Sequence, residues 1–462
     1  MYHRAVLVGR TPSSGLAPSF LAAGLALVVR LALTFSIGIN PSFFDADSYH
    51  ALALAALRGA PVETLGHPPG YTWLLISLYL LLGVRPPAVY LFQDLLSALS
   101  VFLVAHAVGR RWGARPALAA GLLMAVNAYL AVFPTVLASE TVSTAGIAAL
   151  VWLLVPEFPR VSSHRLLLAA VVAGSLAQVR TGFALFVPAL VLLSLAPLLG
   201  ARPRPAGKSV GTALLVAAVG SAIVAGPALF RSRETGVFRL GAQLDASILW
   251  NANNPSATGR HEPMPDEPAV GQPGIPDAEA LDRVYRDRVL EFLLGRPWRQ
   301  LDLVPRRIGL LLAVPKRDLI YLYGHGWAGE RPPAHLWAFL GWLVASHSLL
   351  AAAALAGLLR APDDPSLAAA GLVALVCVAP YLVTWGDARY LQPAYPALAF
   401  AAGGAFARGW TPLRGRRRIL AWVLGGALAG NALVDLSASL PAVAAIARPG
   451  GSALRPAYHF AR

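Results

Sequence analysis

Apolar residues run along this chain in long unbroken stretches separated by short polar corners. Crossing ~30 Å of hydrocarbon takes roughly 20 residues, fewer where a helix is buried in protein. Eleven stretches qualify, near 17–39, 88–108, 117–136, 141–156, 166–179, 183–200, 210–230, 335–358, 367–385, 390–407 and 419–440. Those at 141–156 and 166–179 are short for a bilayer, which is tolerated where helix ends line a protein cavity instead of facing lipid. The Arg180-Thr181 turn between two such helices would dip below the surface. The first stretch, from about Leu16 to Ile39, is longer than a signal-peptide core and lacks a small-residue cleavage pattern, so it is expected to stay as a helix. The pattern predicts an all-α polytopic membrane protein with about 11 transmembrane helices. An N-terminal module over 1–230 contains a first polar loop at 40–87, a large polar loop follows at 231–334, and a C-terminal module covers 335–462.

Arginine bias in short loops sets the orientation. Arg4 and Arg10 precede the first span, and Arg110, Arg111 and Arg115 follow the second. Arg160 and Arg165 follow the fourth, Arg202, Arg204 and Lys208 the sixth, and Arg408, Arg414, Arg416, Arg417 and Arg418 the tenth. All fall on one face if the apolar run 71–84 does not cross but lies in the interface as a short helix. The amino terminus is then cytoplasmic and the carboxy terminus outside. The outer face of the plasma (inner) membrane receives the 40–87 loop, the Ser139-Glu140 corner, the Arg180 turn, the 231–334 loop and the Asp387–Arg389 corner.

Composition agrees with a multi-pass membrane protein: of 462 residues 56% are hydrophobic and 13% charged. The net charge of +15 is carried almost wholly by arginine, but no basic stripe interleaved with aromatics marks a polar domain, so nucleic acid is not an expected partner. A single cysteine, Cys377, excludes an intramolecular disulfide and a thiolate metal cluster. Within the 231–334 loop, residues 250–259 are dense in turn formers. From Ala278 onward Leu281, Val284, Tyr285, Val289, Phe292 and Leu293 recur at helical spacing, predicting an amphipathic helix on the membrane surface or against the bundle.

The candidate chemistry gathers at the outer corners. Asp45 and Asp47 stand where the first span should emerge, after Phe43 and Phe44 and before Tyr49 and His50, on a helix whose apolar face is Leu52, Leu54 and Leu57. One of them could take a proton from an attacking hydroxyl, the pair could hold a divalent cation, or both could belong to a solvated loop. Arg180 and Arg389 flank apolar spans, where a charge costs ~2.5–3.5 kcal/mol and is usually paired or functional. Each could serve an ion pair, Arg389 with Asp387 or either with Glu140, or each could bind phosphate through its fork of donors. Glu140 opens a span, where it could favour the positive helix terminus or contact substrate. His67, before Pro68-Pro69, reads as structural or acceptor-contacting. Asn253-Asn254-Pro255 reads as a turn or as a contact to sugar hydroxyls.

The run Asp45-Ala46-x-x-Tyr49-His50-x-Leu52-Ala53, then Arg58-Gly59, Pro68-Pro69-Gly70-Tyr71 and a short apolar helix ending Leu82-Gly83, resembles the first outer loop of the GT-C superfamily of membrane glycosyltransferases. The similar branch is the protein O-mannosyltransferase and aminoarabinose-transferase-like group. Ser139-Glu140-Thr141, Arg180, Asn253-Asn254-Pro255 and Arg389-Tyr390-Leu391-x-Pro393-x-Tyr395-Pro396 follow in the same order. The resemblance implies a polyprenyl-phosphate sugar donor, an acceptor hydroxyl on protein, lipid or polysaccharide, and a catalytic base at Asp45, with Asp47 a second acid outside the strict pattern. It implies donor-phosphate contacts from Arg389 and Arg180, and substrate contacts from Tyr49, His50, His67, Glu140, Asn253, Asn254 and Tyr390. A divalent cation is left open. A transporter or flippase would be expected to show paired halves with interrupted helices, which are not seen, and an oligosaccharide ligase would place its key residues mainly in a late outer loop.

Overall fold

The structure is a computed structural model that describes residues 15–446 except 38–44, 61, 63–66, 199–205, 236–237, 239–244, 262–266, 325–332, 410–412 and 414. Phe43, Phe44, Arg4, Arg10, Arg202, Arg204 and Arg414 lie outside the described residues. In order the α-helices are α1 (Leu16–Ser36), α2 (Ala46–Leu57), α3 (Gly70–Leu82), α4 (Pro86–Trp112), α5 (Ala114–Ala125), α6 (Ala128–Val132), α7 (Glu140–Leu154), α8 (Ser163–Val179), α9 (Phe186–Leu195) and α10 (Ala206–Thr235). The polar loop carries α11 (Asp245–Ala252), α12 (Ala278–Gly295), α13 (Arg299–Leu311) and α14 (Lys316–Gly324). The C-terminal part holds α15 (Pro333–Arg360), α16 (Pro365–Val378), α17 (Pro380–Val383), α18 (Tyr395–Ala407) and α19 (Arg416–Ile446). No strand occurs among the described residues.

Among the described residues seven helices are long and apolar enough to cross a membrane, or eight if α5 and the segment Ala128–Thr135, bent by 62°, count as one span. The expected count of eleven is not confirmed. The stretches expected at 166–179, 183–200 and 390–407 do form helices, but α8 has 17 residues, α9 10 and α18 13. The run 71–84 is the separate 13-residue helix α3.

The bend after α5 has a local cause. Arg30, fully buried in α1, donates to Ala125 O at 2.6 Å, to Met124 O at 3.2 Å and to Ser97 Oγ at 2.9 Å. The last carbonyls of α5 are thereby satisfied by a guanidinium instead of by a further turn of helix. The chain can then cross the bundle from Asn127 to Ser139 before α7 begins.

Charge sorts to the two ends of the bundle. At one end Glu157 pairs with Arg110 (3.3 Å) and with Arg165, and Asp364 pairs with Arg111 (3.0 Å) and Arg408 (3.1 Å). Three basic corners read from the sequence, at Arg110–Arg111, Arg165 and Arg408, thus share one end: α4 and α18 finish there, and α8 and α16 start there. At the other ends of α7, α8 and α16 stand Glu140, Arg180 and the turn before Arg389.

In the polar loop Asp277 caps α12 through Ala280 N at 2.8 Å. Leu281 and Tyr285 pack with Ala246 and Ile275 in a small core of their own, so the helix predicted from its spacing rests on its neighbour α11. Arg307 of α13, fully buried, ties the loop to the bundle by donating to Ala252 O (2.6 Å), Asn253 Oδ1 (3.1 Å) and Leu382 O (2.8 Å). Gly386 lies against this tie: a Cβ there would meet Arg307 O and come within 2.7 Å of its Cα.

Candidate active site

Asp45 sits at the N-terminal cap of α2, with Tyr49 N bonding back to its carbonyl at 2.9 Å. Helix α2 rests on α3 through the His50 Nδ1 to Tyr79 hydroxyl bond (2.7 Å) and the Tyr49–Tyr71 edge contact (4.8 Å). The Pro-Pro-Gly-Tyr run explains how α3 is fixed. A Cβ on Gly70 would lie 2.6 Å from Gln178 O, so only glycine lets α3 start against the end of α8. Tyr71 donates to Gln93 Oε1 at 2.7 Å, and Gln93 Nε2 donates to Pro134 O and Val136 O at 2.8 Å. First loop, α4 and the strand-like stretch before Glu140 are therefore hydrogen-bonded in series.

Glu140 is fully buried. Its Oε1 accepts from both Arg180 Nη2 and Arg389 Nε, and its Oε2 has no hydrogen-bond partner among the described residues. Arg389 also donates to Asp45 Oδ2 at 3.2 Å, and its guanidinium lies 5.7 Å from the centre of the Phe133 ring. Arg180 donates to Ser139 Oγ (3.3 Å) and to the Tyr381 hydroxyl (3.0 Å), and sits 5.5 Å from the Tyr390 ring, which itself stacks on Tyr381 at 4.3 Å. Two carboxylates and two guanidiniums thus form one charge-balanced cluster. The ion pair considered between Arg389 and Asp387 takes another form: Asp387 accepts from the backbone N of Arg389 (3.0 Å), while its carboxylate pairs with Arg317 (3.1 Å).

A cavity of about 730 Å³ opens beside this cluster, and its lining includes Asp45, Arg389, Tyr390, Asp387, Asp318 and Arg317 together with His261, Arg260, Lys316 and Asp435. Burial alone would push the Asp45 carboxyl up, but the charges of Arg389, His67 and Arg180 outweigh it and hold Asp45 below the usual carboxylate range. His67 stands 4.0 Å from Asp45 and 3.0 Å from Ser48 Oγ, its ring 4.5 Å from that of Tyr49.

The structure therefore gathers Asp45, Tyr49, His67, Glu140, Arg180, Arg389 and Tyr390. It does not gather the others. Asp47 is exposed on α2, and residues two apart on a helix do not face each other, so Asp45 and Asp47 offer no shared seat for a cation. Among the described residues no group of three or more His, Cys, Asp or Glu side chains assembles to hold a metal. His50 is used by Tyr79. Asn253 is a structural tie, donating to Leu249 O and Val383 O and accepting from Arg307 and Gln300. Asn254 closes its own turn by accepting from Ser256 N and Oγ. Neither asparagine lines the cavity, and Arg180, expected at the donor phosphate, stands behind Glu140 and Tyr390 instead of on the cavity wall. Sequence reasoning missed Asp318, Lys316 and Asp435. Asp318 opens α14 beside Lys316 and Arg317 and so reads as an ordinary first-turn carboxylate.

Residues 66–228 match the family described as dolichyl-phosphate-mannose-protein mannosyltransferase. No curated protein sequence is significantly similar to the chain. Among solved structures, ArnT from Cupriavidus metallidurans in the apo state aligns over 94% of this chain and 75% of its own, with a TM-score of 0.49 and 17% identity. The same enzyme bound to undecaprenyl phosphate aligns over 84% and 77%, with a TM-score of 0.37 and 16% identity. The archaeal oligosaccharyltransferase AglB from Archaeoglobus fulgidus aligns over 94% of this chain and 56% of its own, with a TM-score of 0.42 and 12% identity. Through residues 66–228 the chain matches the protein mannosyltransferase family, so its resemblance to the GT-C membrane glycosyltransferases rests on a family-level match as well as on the residues of its first loop.

Proposed function

We propose that the protein transfers a sugar from a polyprenyl-phosphate donor to an acceptor hydroxyl, with inversion, in the cavity beside Asp45 and on the outer face of the plasma membrane. The observation that carries this reading is the contact of Asp45 with Arg389 on the cavity wall, at 3.2 Å. It puts a proton acceptor next to a cation suited to phosphate. Asp45 takes the proton of the acceptor hydroxyl as the acceptor oxygen bonds to the anomeric carbon. The bond from that carbon to the phosphate oxygen breaks on the opposite face, and the polyprenyl phosphate leaves with the electron pair. Charge gathering on the phosphate is met by Arg389, with Arg317, Lys316 and Arg260 on the same walls.

The ion pair has a consequence for the base. While Arg389 holds Asp45, the carboxylate is ionised at neutral pH but weakly basic. A donor phosphate that draws on Arg389 weakens that hold and raises the affinity of Asp45 for the acceptor proton. Arg180 acts through Glu140, keeping the shared carboxylate in place when Arg389 turns towards phosphate. The clustering of the basic corners at the end remote from Asp45 supports a cytoplasmic assignment for that end.

The test is a purified assay in liposomes with a panel of undecaprenyl-phosphate sugars and a crude envelope acceptor, read as release of undecaprenyl phosphate. The unaltered protein is expected to turn over at least one donor and Asp45→Asn none. No release from any donor would overturn the transferase reading, and a fully active Asp45→Asn would move the base elsewhere. Mass spectrometry of surface glycans with and without the gene then names the sugar and the acceptor.

A further inference from the structure

Asp318 has no part in the chemistry above, yet it is one of the few carboxyl groups in the site that is both buried and turned to the cavity. It is 5% exposed and lines the cavity wall. Its Oδ2 accepts from the hydroxyl of Tyr129, itself 3% exposed. Among the described residues the hydrogen bond found for this carboxyl is the one from Tyr129, and no ion pair to it is found. The neighbouring cations are engaged with other acids: Arg389 with Glu140 and Asp45, Arg317 with Asp387, Lys316 with Asp435. A carboxyl buried without a counter-ion is costly unless something else satisfies it.

We propose that Asp318 is a sugar-binding residue of the donor site: Tyr129 fixes one carboxyl oxygen, and the other takes a hydroxyl of the sugar being transferred. The inference rests on the polyprenyl-phosphate reading and assigns the sugar end of that donor. A phosphate would be repelled by Asp318 and Asp387 together, whereas Arg389 beside Asp45 offers it a cation. A sugar hydroxyl fits because it both donates and accepts. Burial, and after it the charge of Asp387, push the Asp318 carboxyl up towards about 7, with Arg389 and Tyr129 opposing the rise and Glu140 adding to it.

The test compares sugar-bearing donor with undecaprenyl phosphate, which lacks the sugar. With a donor that the unaltered protein turns over, Asp318→Ala is expected to raise the donor KM about ten-fold or more, the loss of one hydrogen bond to a strongly polar buried group. Asp318→Asn, which keeps the shape and one polar atom towards the sugar, is expected to restore most of that loss. The acceptor KM and the inhibition constant of undecaprenyl phosphate should stay at the unaltered values in both. An unchanged donor KM in Asp318→Ala overturns the assignment, as does an inhibition constant for undecaprenyl phosphate that rises in step with KM, or a rise confined to the acceptor KM. Should Asp318→Ala fail to fold, Asp318→Cys is labelled with a thiol reagent, the native Cys377 being buried. Sugar-bearing donor should slow the labelling and undecaprenyl phosphate should not; equal protection by the two overturns the assignment. If no donor is turned over by the unaltered protein, the transferase reading itself has failed, a result distinct from any of these.

Discussion

Replacing Arg389 by lysine tests the donor chemistry most directly. The guanidinium spans two carboxylates, with Nε on Glu140 and Nη2 on Asp45. An ammonium keeps the charge but is a point donor and cannot make the same fork. Glu140 retains Arg180 in any case, so the contact given up is expected to be the one to Asp45. Losing the forked geometry at a developing phosphate charge is expected to lower turnover ten-fold or more, equal to about 1.4 kcal/mol of barrier. The pH profile supplies a second readout. Asp45 is held below its usual range chiefly by Arg389 against the opposing effect of burial. A depressed carboxyl contributes stability above its unfolded pKa and loses it as pH falls through its folded pKa. With Arg389 weakened, the Asp45 pKa rises, so the acid limb of the kcat/KM profile should move to higher pH. The assay is steady-state release of undecaprenyl phosphate from about pH 4 to about pH 8, which spans the carboxylate and histidine range, alongside thermal melting. A fully active Arg389→Lys with an unshifted acid limb would refute the argument and make the residue a structural ion pair.

Asp45→Asn should abolish transfer while the protein still melts cooperatively, whereas Asp47→Asn, exposed and off the cavity, should stay within about three-fold of normal, under 1 kcal/mol of barrier; equal losses from both would revive a paired-carboxylate site. Gly386→Ala should lower stability by about 1–3 kcal/mol, because the added methyl meets the backbone of Arg307 and that backbone cannot swing aside; a melting temperature equal to that of the unaltered protein would show the turn to be slack. Cysteines introduced at Ser256 and Arg418, both exposed, should label from outside and from the cytoplasm respectively, and a cytoplasmic Ser256 would invert the placement of the cavity.

The residues legible from sequence were those whose charge stood out against an apolar neighbourhood. Asp45, Glu140, Arg180 and Arg389 each border a hydrophobic run, where an ionised group is costly enough to need a reason. Asp318, Lys316 and Asp435 carried no such signal. The first two sit in a charged polar loop, and all three become buried or half-buried only when α14 and α19 meet over the cavity. Asn253 and Asn254 show the converse: their order along the chain matched the family pattern, while side-chain hydrogen bonds that no local pattern encodes tie them to Arg307 and to their own turn. The bend after α5 was hidden for a related reason: Arg30, in a different helix, caps the end of α5, and nothing within residues 114–135 announces it.

The shortness of the helices between the two charged ends sets a depth. Helices α8 and α18 have 17 and 13 residues. At 1.5 Å per residue they reach about 20–26 Å, against ~30 Å of hydrocarbon. With their basic ends level with one face of the bilayer, their other ends stop roughly 4–10 Å short of the opposite face by the same arithmetic. Arg389, backed by Glu140, then lies at the floor of a well whose walls carry Asp45, the polar loop and α19. Water at such a floor is scarce and each ionic contact is strengthened accordingly. In the proposed reaction a donor sugar held in the well would meet the acceptor hydroxyl ahead of bulk water, which would favour transfer over hydrolysis.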